Sequence, residues 1–293
     1  KSSATTTHAV ETLRILADTS KRQEMVPFLQ GPPGIGKSQI VKQVADEFGY
    51  AHFLDIRLSQ HDATDIKGIP QQTDEGTLRW VPPEFMPLAG SKWDDGQPGV
   101  LFFDELNRAP VEVLQTVFEI VLDRRIGMQP IPDNWFIVAA GNYGYEDGTD
   151  VVEMDSALRN RFMMIPIGPP SFVEWRGWAE ANDIHPTVID YLSEHEDHLY
   201  SDNLGERGSS ELITPRTWEK LARLLNQHKG CESTIAELVA HNLLFSIAPQ
   251  FIQYVEEQAS VRVRSIMEDY DSVADSLNEM SRTEILTFID KID

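Results

Sequence analysis

Lys37 and Ser38 close a run, residues 26–38, that reads VPFLQGPPGIGKS. Gly31, Gly36, Lys37 and Ser38 match the spacing G-x-x-x-x-G-K-[ST]. The chemistry of a triphosphate explains these residue types. Several backbone N–H groups must point inward at a polyanion, and only a chain free of Cβ crowding wraps that closely. A helix beginning at Lys37 adds the positive end of its dipole. The Lys37 ammonium then reaches the β- and γ-phosphates, and the Ser38 hydroxyl holds Mg2+. Nucleotide contacts are expected from Gly31, Pro33, Gly34, Ile35, Gly36, Lys37, Ser38 and Gln39. A glycine-rich turn matching by chance would lack the context seen here, an apolar strand pattern before the loop and a helical pattern after it.

Hydrolysis needs more than binding. Asp104 and Glu105 follow the unbroken apolar run Val100-Leu101-Phe102-Phe103. An acid at the end of a buried strand can hold the Mg2+ water shell, so Asp104 joins Ser38 on the metal side. Glu105 can orient an attacking water or take its proton. Asn142 lies just past the apolar run of residues 135–140, where a short amide can hydrogen-bond the γ-phosphate or the water. Arg159 and Arg161 precede the last strand pattern, and arginine is the residue expected to touch a γ-phosphate across a subunit boundary. Arg161 is preferred because it abuts the strand; a salt-bridged helix end is the plainer reading of both. Thr214-Pro215-Arg216 opens a later helix, with Pro215 in its first turn. Arg216 would face the nucleotide if that part of the chain closes over the site, and is otherwise part of a cap.

These residues need elements to hold them. Val10, Leu13, Leu16 and Ala17 predict a helix within residues 8–24, ahead of the first strand. After the loop, Ile40, Val41, Val44, Ala45 and Phe48 share one helical face, and Gly49 ends that helix. A second strand follows over residues 51–58. Residues 66–80 then read as a β-hairpin inserted around the turn Asp74-Glu75-Gly76. Pro110 suits the first turn of a helix whose buried face is Val113, Leu114, Val117, Phe118 and Val121. Residues 162–167 form the last strand candidate. Strands that alternate with helices, and apolar runs without alternation, predict an α/β fold with a parallel sheet buried on both faces.

Gly168-Pro169-Pro170 marks a boundary. Two domains are expected: an α/β nucleotide-binding domain over 1–168, and a smaller all-α domain over 169–293 that ends in an acidic helical extension. Helices are read at roughly 171–183, 186–199, 215–228, 232–247 and 249–270, with residues 201–213 as a loop. His195 and His198, flanked by Glu194 and Asp197, lack a metal-binding helical spacing and read as a solvated helix.

Bulk composition limits the partners. With 25 basic and 47 acidic residues the net charge is −22, which disfavours nucleic acid and anionic membrane surfaces. The apolar stretch 238–255 contains His241, Asn242, Pro249, Gln250 and Gln253, so no membrane insertion is expected. The lone Cys231 leaves no internal disulfide, and no charged-then-apolar leader opens the chain. Both observations predict a cytoplasmic setting.

The order GPPGIGKS, LFFDELNRAP, a strand ending near Asn142, LRNRF and TPRT resembles AAA+ ATPases over roughly residues 8–255. More narrowly it resembles the MoxR-like, dynein-related branch. Asp65-Ile66-Lys67-Gly68 leading into the hairpin and Trp80-Val81-Pro82-Pro83 carry that likeness. So do Asp104-Glu105-Leu106-Asn107-Arg108-Ala109 and Ser156-Ala157-Leu158-Arg159-Asn160-Arg161-Phe162. The resemblance implies a P-loop NTPase (AAA+) core with a five-stranded parallel sheet, a helical lid, and a homo-oligomeric ring, usually hexameric, with ATP between subunits. Lys37, Ser38, Asp104, Glu105, Asn142 and Arg216 would act within one subunit, and Arg161 from its neighbour. It also implies chaperone-like remodelling of a protein client, often with a von Willebrand factor A-domain partner. The loop after Asn142 is long and acidic, and the tail beyond about residue 255 exceeds the resemblance.

Two other readings stay open on the residues alone. A nucleic-acid motor or loader of the same fold would use Lys67, Arg79 and Trp80 of the hairpin to touch a strand. A nucleotide-gated scaffold would bind ATP and turn it over negligibly.

Overall fold

The computed structural model describes residues 6–17, 23–144, 152, 154, 159–203, 211–229 and 231–268. The expectations for the acidic loop after Asn142, for Ser156, Ala157 and Leu158, and for the tail from 269 onward concern residues outside these. The chain divides into two compact units, Lys1–Pro169 and Pro170–Asp293.

Unit one opens with α1 (Thr6–Leu16), which buries Ala9, Val10 and Leu13. Strand β1 (Val26–Gln30) leads through the glycine loop into α2 (Lys37–Glu47) and then β2 (His52–Arg57). A short helix α3 (Ala63–Lys67) and the hairpin β3 (Ile69–Gln72) and β4 (Leu78–Val81) follow. Next come β5 (Gly99–Asp104) and α4 (Val111–Asp123), then a second hairpin of β6 (Arg125–Ile126) and β7 (Gln129–Pro130). Strands β8 (Trp135–Gly141) and β9 (Phe162–Pro166) are the last described strands of the unit. The main sheet has five parallel strands in the order β2-β5-β8-β1-β9.

Sequence patterning accounts for that placement. Strands β5 and β8 lie inside the sheet and are buried at every position, which is why they read as unbroken apolar runs. Strand β2 sits at an edge and exposes Asp55 and Arg57. Helix α4 buries Val113, Leu114, Val117, Phe118 and Val121, the face its spacing predicts. Helix α2 buries Ile40, Val41, Val44 and Ala45, but Phe48 caps its end and stays exposed, against the sequence reading.

The inserted hairpin also departs from expectation. Ile66 and Lys67 belong to α3, not to a strand. Asp62 accepts from the backbone N–H groups of Thr64 and Asp65 in a capping box, and Ile66 is fully buried. A helix of five residues is too short to display a period, so only its cap could have revealed it. Gly68, at φ 88°, ends α3, and a Cβ there would lie 2.1 Å from the Val81 carbonyl oxygen.

Unit two contains α5 (Phe172–Ala181), α6 (Pro186–Glu194), α7 (Pro215–Gln227), α8 (Glu232–Leu243) and α9 (Ala248–Glu268). It is not all-α: β10 (Ser201–Asn203) pairs antiparallel with β11 (Glu211–Ile213), where a loop was expected. Strands of three residues carry too little alternation to be read, and only their pairing defines them. No described helix is long and apolar enough to cross a membrane.

An aromatic cluster centres this unit. Tyr191 packs against Trp218 and Phe251 at ring distances of 5.6 and 5.1 Å. Its hydroxyl meets His198 Nδ1 at 2.8 Å, while Trp218 Nε1 donates to the His198 carbonyl at 2.9 Å. His198 and its stacked neighbour His195 are therefore packing residues. Trp218→Ala should lower the stability of this unit by about 3–5 kcal/mol, the usual cost of emptying such a site. Urea denaturation followed by circular dichroism reads the loss, and a change below about 1 kcal/mol would contradict the packing described.

Candidate active site

Strands β5, β8 and β1 are neighbours, and their carboxyl ends carry Asp104, Asn142 and the glycine loop respectively. In open α/β sheets, ligands bind in the crevice beyond these ends, at the point where strand order reverses. Residues separated by more than a hundred positions are thereby brought within hydrogen-bonding distance.

The loop is shaped by its glycines. Gly31 N–H donates to the Gly141 carbonyl at 3.2 Å, and a Cβ on Gly31 would lie 2.4 Å from the Ile167 carbonyl oxygen. Gly36 adopts φ 95°, in the left-handed region that favours glycine, and as the residue before the helix it offers no side chain to cap it. The first N–H groups of α2, from Lys37, Ser38 and Gln39, thus begin a helix end suited to an anion. Pro33, Gly34 and Ile35 form the turn between, with Ile35 buried and Pro33 and Gly34 partly exposed.

Lys37 is 8% exposed. Its Nζ donates to the carbonyls of Gly31 at 2.7 Å and Pro32 at 2.8 Å, and to Asn142 Oδ1 at 3.0 Å. The ammonium is thus already held at the mouth of the loop, against Asn142. A phosphate oxygen arriving there must take over from one of these acceptors.

Ser38 Oγ donates to Asp104 Oδ2 at 3.3 Å. The two oxygen-bearing groups expected on the metal side therefore lie together, and hydroxyl plus carboxylate is a donor set that fits Mg2+. Asp104 Oδ1 also accepts the Glu105 N–H at 2.8 Å. Asp55 on β2 keeps contact with solvent, yet desolvation raises its carboxyl above the usual range; the Asp104 charge adds to the rise and Arg57 opposes it. A divalent cation beside Asp104 would relieve that repulsion.

Glu105 takes φ 55°, in the left-handed region, as the chain turns from β5 into a short 3-10 helix over Leu106–Arg108. A non-glycine residue held there marks a backbone constrained by its surroundings. Its carboxylate accepts the Ser59 hydroxyl through Oε2, and Oε1 lies 3.9 Å from the Arg108 guanidinium. Ser59, in a 3-10 turn just after β2, was not legible as a site residue: a lone serine after a strand carries no spacing signal. Asn107 was also missed. It is 2% exposed and both ends of its amide bond the Asn142 backbone.

Arg161 lies exposed one position before β9, with Arg159 exposed two residues earlier. Neither forms an ion pair with a described residue. Arg216 is exposed in the first turn of α7, in unit two, where Thr214 and Thr217 form the capping box.

The hairpins frame a second concavity. A groove of about 670 Å³ is lined by Lys67, Arg79 and Trp80 on one side and by Ile126, Met128 and Glu119 on the other. The Lys67 ammonium sits 5.1 Å from the centre of the Trp80 ring.

Comparison with known proteins bears on this arrangement. Residues 27–162 match the family model of the AAA domain, dynein-related subfamily. No match was found among curated proteins. Among solved structures, NtrX from Brucella abortus is similar at 13% identity and a TM-score of 0.44, over 99% of this chain and 68% of that one. A RuvB variant from Thermotoga maritima is similar at 16% identity and a TM-score of 0.45, over 93% of this chain and 79% of that one. The segment matched by the AAA domain contains Lys37, Ser38, Asp104, Glu105, Asn142 and Arg161, and it is a P-loop ATPase domain acting on ATP with Mg2+.

Proposed function

We propose that this P-loop ATPase assembles as a homo-oligomeric ring, six subunits being the number the resemblance implies, and uses ATP hydrolysis to remodel a protein client. The observation that carries the reading is the convergence of Lys37, Asn142, Ser38 and Asp104 at the ends of three adjacent strands, through contacts of 3.0 and 3.3 Å. Lys37 and the N–H groups of the loop bind the phosphates. Ser38 and Asp104 hold Mg2+, which when bound neutralises charge on the phosphates. Glu105 orients the attacking water and accepts its proton, and Asn142 fixes that water or the γ-phosphate. Arg161 reaches the γ-phosphate of a neighbouring subunit. A von Willebrand factor A-domain protein is the partner class that the MoxR-like resemblance suggests, and the cytoplasm is the setting that the lone Cys231 suggests.

Steady-state phosphate release, measured together with sedimentation in ATP and in ADP, tests this reading. Magnesium-dependent turnover with an ATP-favoured assembly is expected. Negligible turnover would favour the nucleotide-gated scaffold instead. Capture of a client by the Glu105→Gln variant held in ATP would identify the substrate.

A nucleic-acid motor is the second reading. The observation in its favour is the exposed groove where Lys67 and Arg79 flank Trp80, since cations with an aromatic face suit single strands. It predicts that DNA or RNA stimulates phosphate release and that the stimulation fades steeply with added salt. The net charge of −22 weighs against it. Phosphate release that stays unchanged across single- and double-stranded DNA and RNA at low salt would remove it.

A further inference from the structure

We propose that Asn107 is a positioning residue for hydrolysis, clamping the Asn142 backbone to the turn that carries Glu105. The inference rests on the roles proposed above for Asn142 and Glu105.

Strands β5 and β8 pair in parallel only as far as Phe103 and Ala139. Beyond that point β5 ends, because the chain swings away at Glu105 with φ 55°. Strand β8 runs on to Gly141, and Asn142 just after it turns its backbone N–H and carbonyl to the vacated side. The Asn107 amide takes the place of the missing strand. Its Nδ2 donates to the Asn142 carbonyl at 2.7 Å, and its Oδ1 accepts the Asn142 N–H at 3.1 Å. A side-chain amide has the same donor and acceptor pair as a peptide group, so it extends the ladder by one rung. On the other flank, Gln30 Nε2 approaches the Asn142 carbonyl at 3.4 Å. The Asn142 backbone is thus held from both sides, while its Oδ1 stays turned to Lys37.

Two further facts show that the clamp is built in. Asn107 is 2% exposed, so its amide is committed to these partners and not shared with solvent. Gly141 leaves the space it occupies: a Cβ there would lie 2.3 Å from Asn107 Oδ1. Asn107 stands two residues after Glu105 in the same tight turn. Any shift of that turn therefore moves the general base and the Asn142 amide together. An alanine at 107 would leave the N–H of Asn142 unmet and uncouple the two.

The test is a double-mutant cycle on turnover, with ATP affinity measured alongside. Asn107→Ala should lower kcat on the order of 10- to 100-fold, while the Kd for ATP stays within about threefold, because the phosphate loop is untouched. Gly141→Ala should reproduce that split by displacing Asn107 without removing it, and it carries the test if Asn107→Ala fails to fold. In an Asn142→Ala background, Asn107→Ala should cost little more, since it acts through the group already removed. A kcat within about threefold of the parent for both Asn107→Ala and Gly141→Ala would overturn the inference. So would fully additive losses in the cycle, or an ATP affinity that falls in step with kcat. If Asn142→Ala alone turns over normally, the fault lies with the role given to Asn142, and the two failures are told apart.

Discussion

Glu105→Gln should bind Mg-ATP as tightly as the parent and hydrolyse it on the order of 10² to 10⁴ times more slowly. The substitution keeps size and shape. A glutamine at 105 can still accept the Ser59 hydroxyl, and the contacts of Lys37 and the Ser38–Asp104 pair are untouched. Besides the 3.9 Å ion pair with the exposed Arg108, what is lost is proton acceptance, because an amide is too weak a base to take a proton from water. The left-handed backbone at 105 is set by the turn out of β5 and by the N–H bond to Asp104, so it should survive the change. Phosphate release and equilibrium binding of a fluorescent ATP analogue together separate the two effects. If ring assembly requires bound ATP, the variant should also sediment as the larger species at lower protein concentration. Parent-like hydrolysis would remove Glu105 from the mechanism.

Arg161→Ala should cost roughly 10³ to 10⁵ in turnover, about 4–7 kcal/mol of transition-state stabilisation. The geometry within one chain cannot account for such a loss by itself. Arg161 is exposed beside β9, the strand at the edge of the sheet, and has no ion pair with a described residue. A guanidinium at an edge with no ion-pair partner among the described residues is a candidate to meet a second copy. Mixing supplies the decisive measurement. Lys37→Ala subunits should fail to grip ATP yet still present Arg161 to a neighbour. Combined with Arg161→Ala subunits at equal amounts, random assembly puts an intact loop beside an intact arginine at about a quarter of the boundaries. Phosphate release should recover toward that fraction, whatever the ring size. No recovery at any ratio would sink the trans assignment. Arg159→Ala in the same assay discriminates between the two arginines: recovery with Arg159→Ala and full activity of Arg161→Ala would transfer the role.

Local patterns in the sequence determined a large part of this protein. The glycine loop, the helix after it and the uninterrupted strands could be read because their signals lie within a few residues along the chain. Gly36 needs a left-handed φ, β5 and β8 need apolar side chains on both faces, and α4 needs its five apolar residues on one face. Each of these demands restricts residue type directly. The types of Lys37, Ser38, Asp104, Glu105 and Asn142 could therefore be assigned chemistry before any distance was known.

Tertiary structure decided the rest. The strand order β2-β5-β8-β1-β9 brings residues 37, 104 and 142 together, and no period in the sequence encodes which strand lies beside which. The clamp of Asn107 on Asn142 spans 35 positions, and the bond from Ser59 to Glu105 spans 46. A single polar side chain that meets its partner only after folding leaves no repeat, no spacing and no composition to notice. The short elements α3, β6, β7, β10 and β11 escaped for a related reason. Two to five residues hold too few turns or alternations to outweigh their surroundings, and they exist because the packed chain around them satisfies their backbone groups.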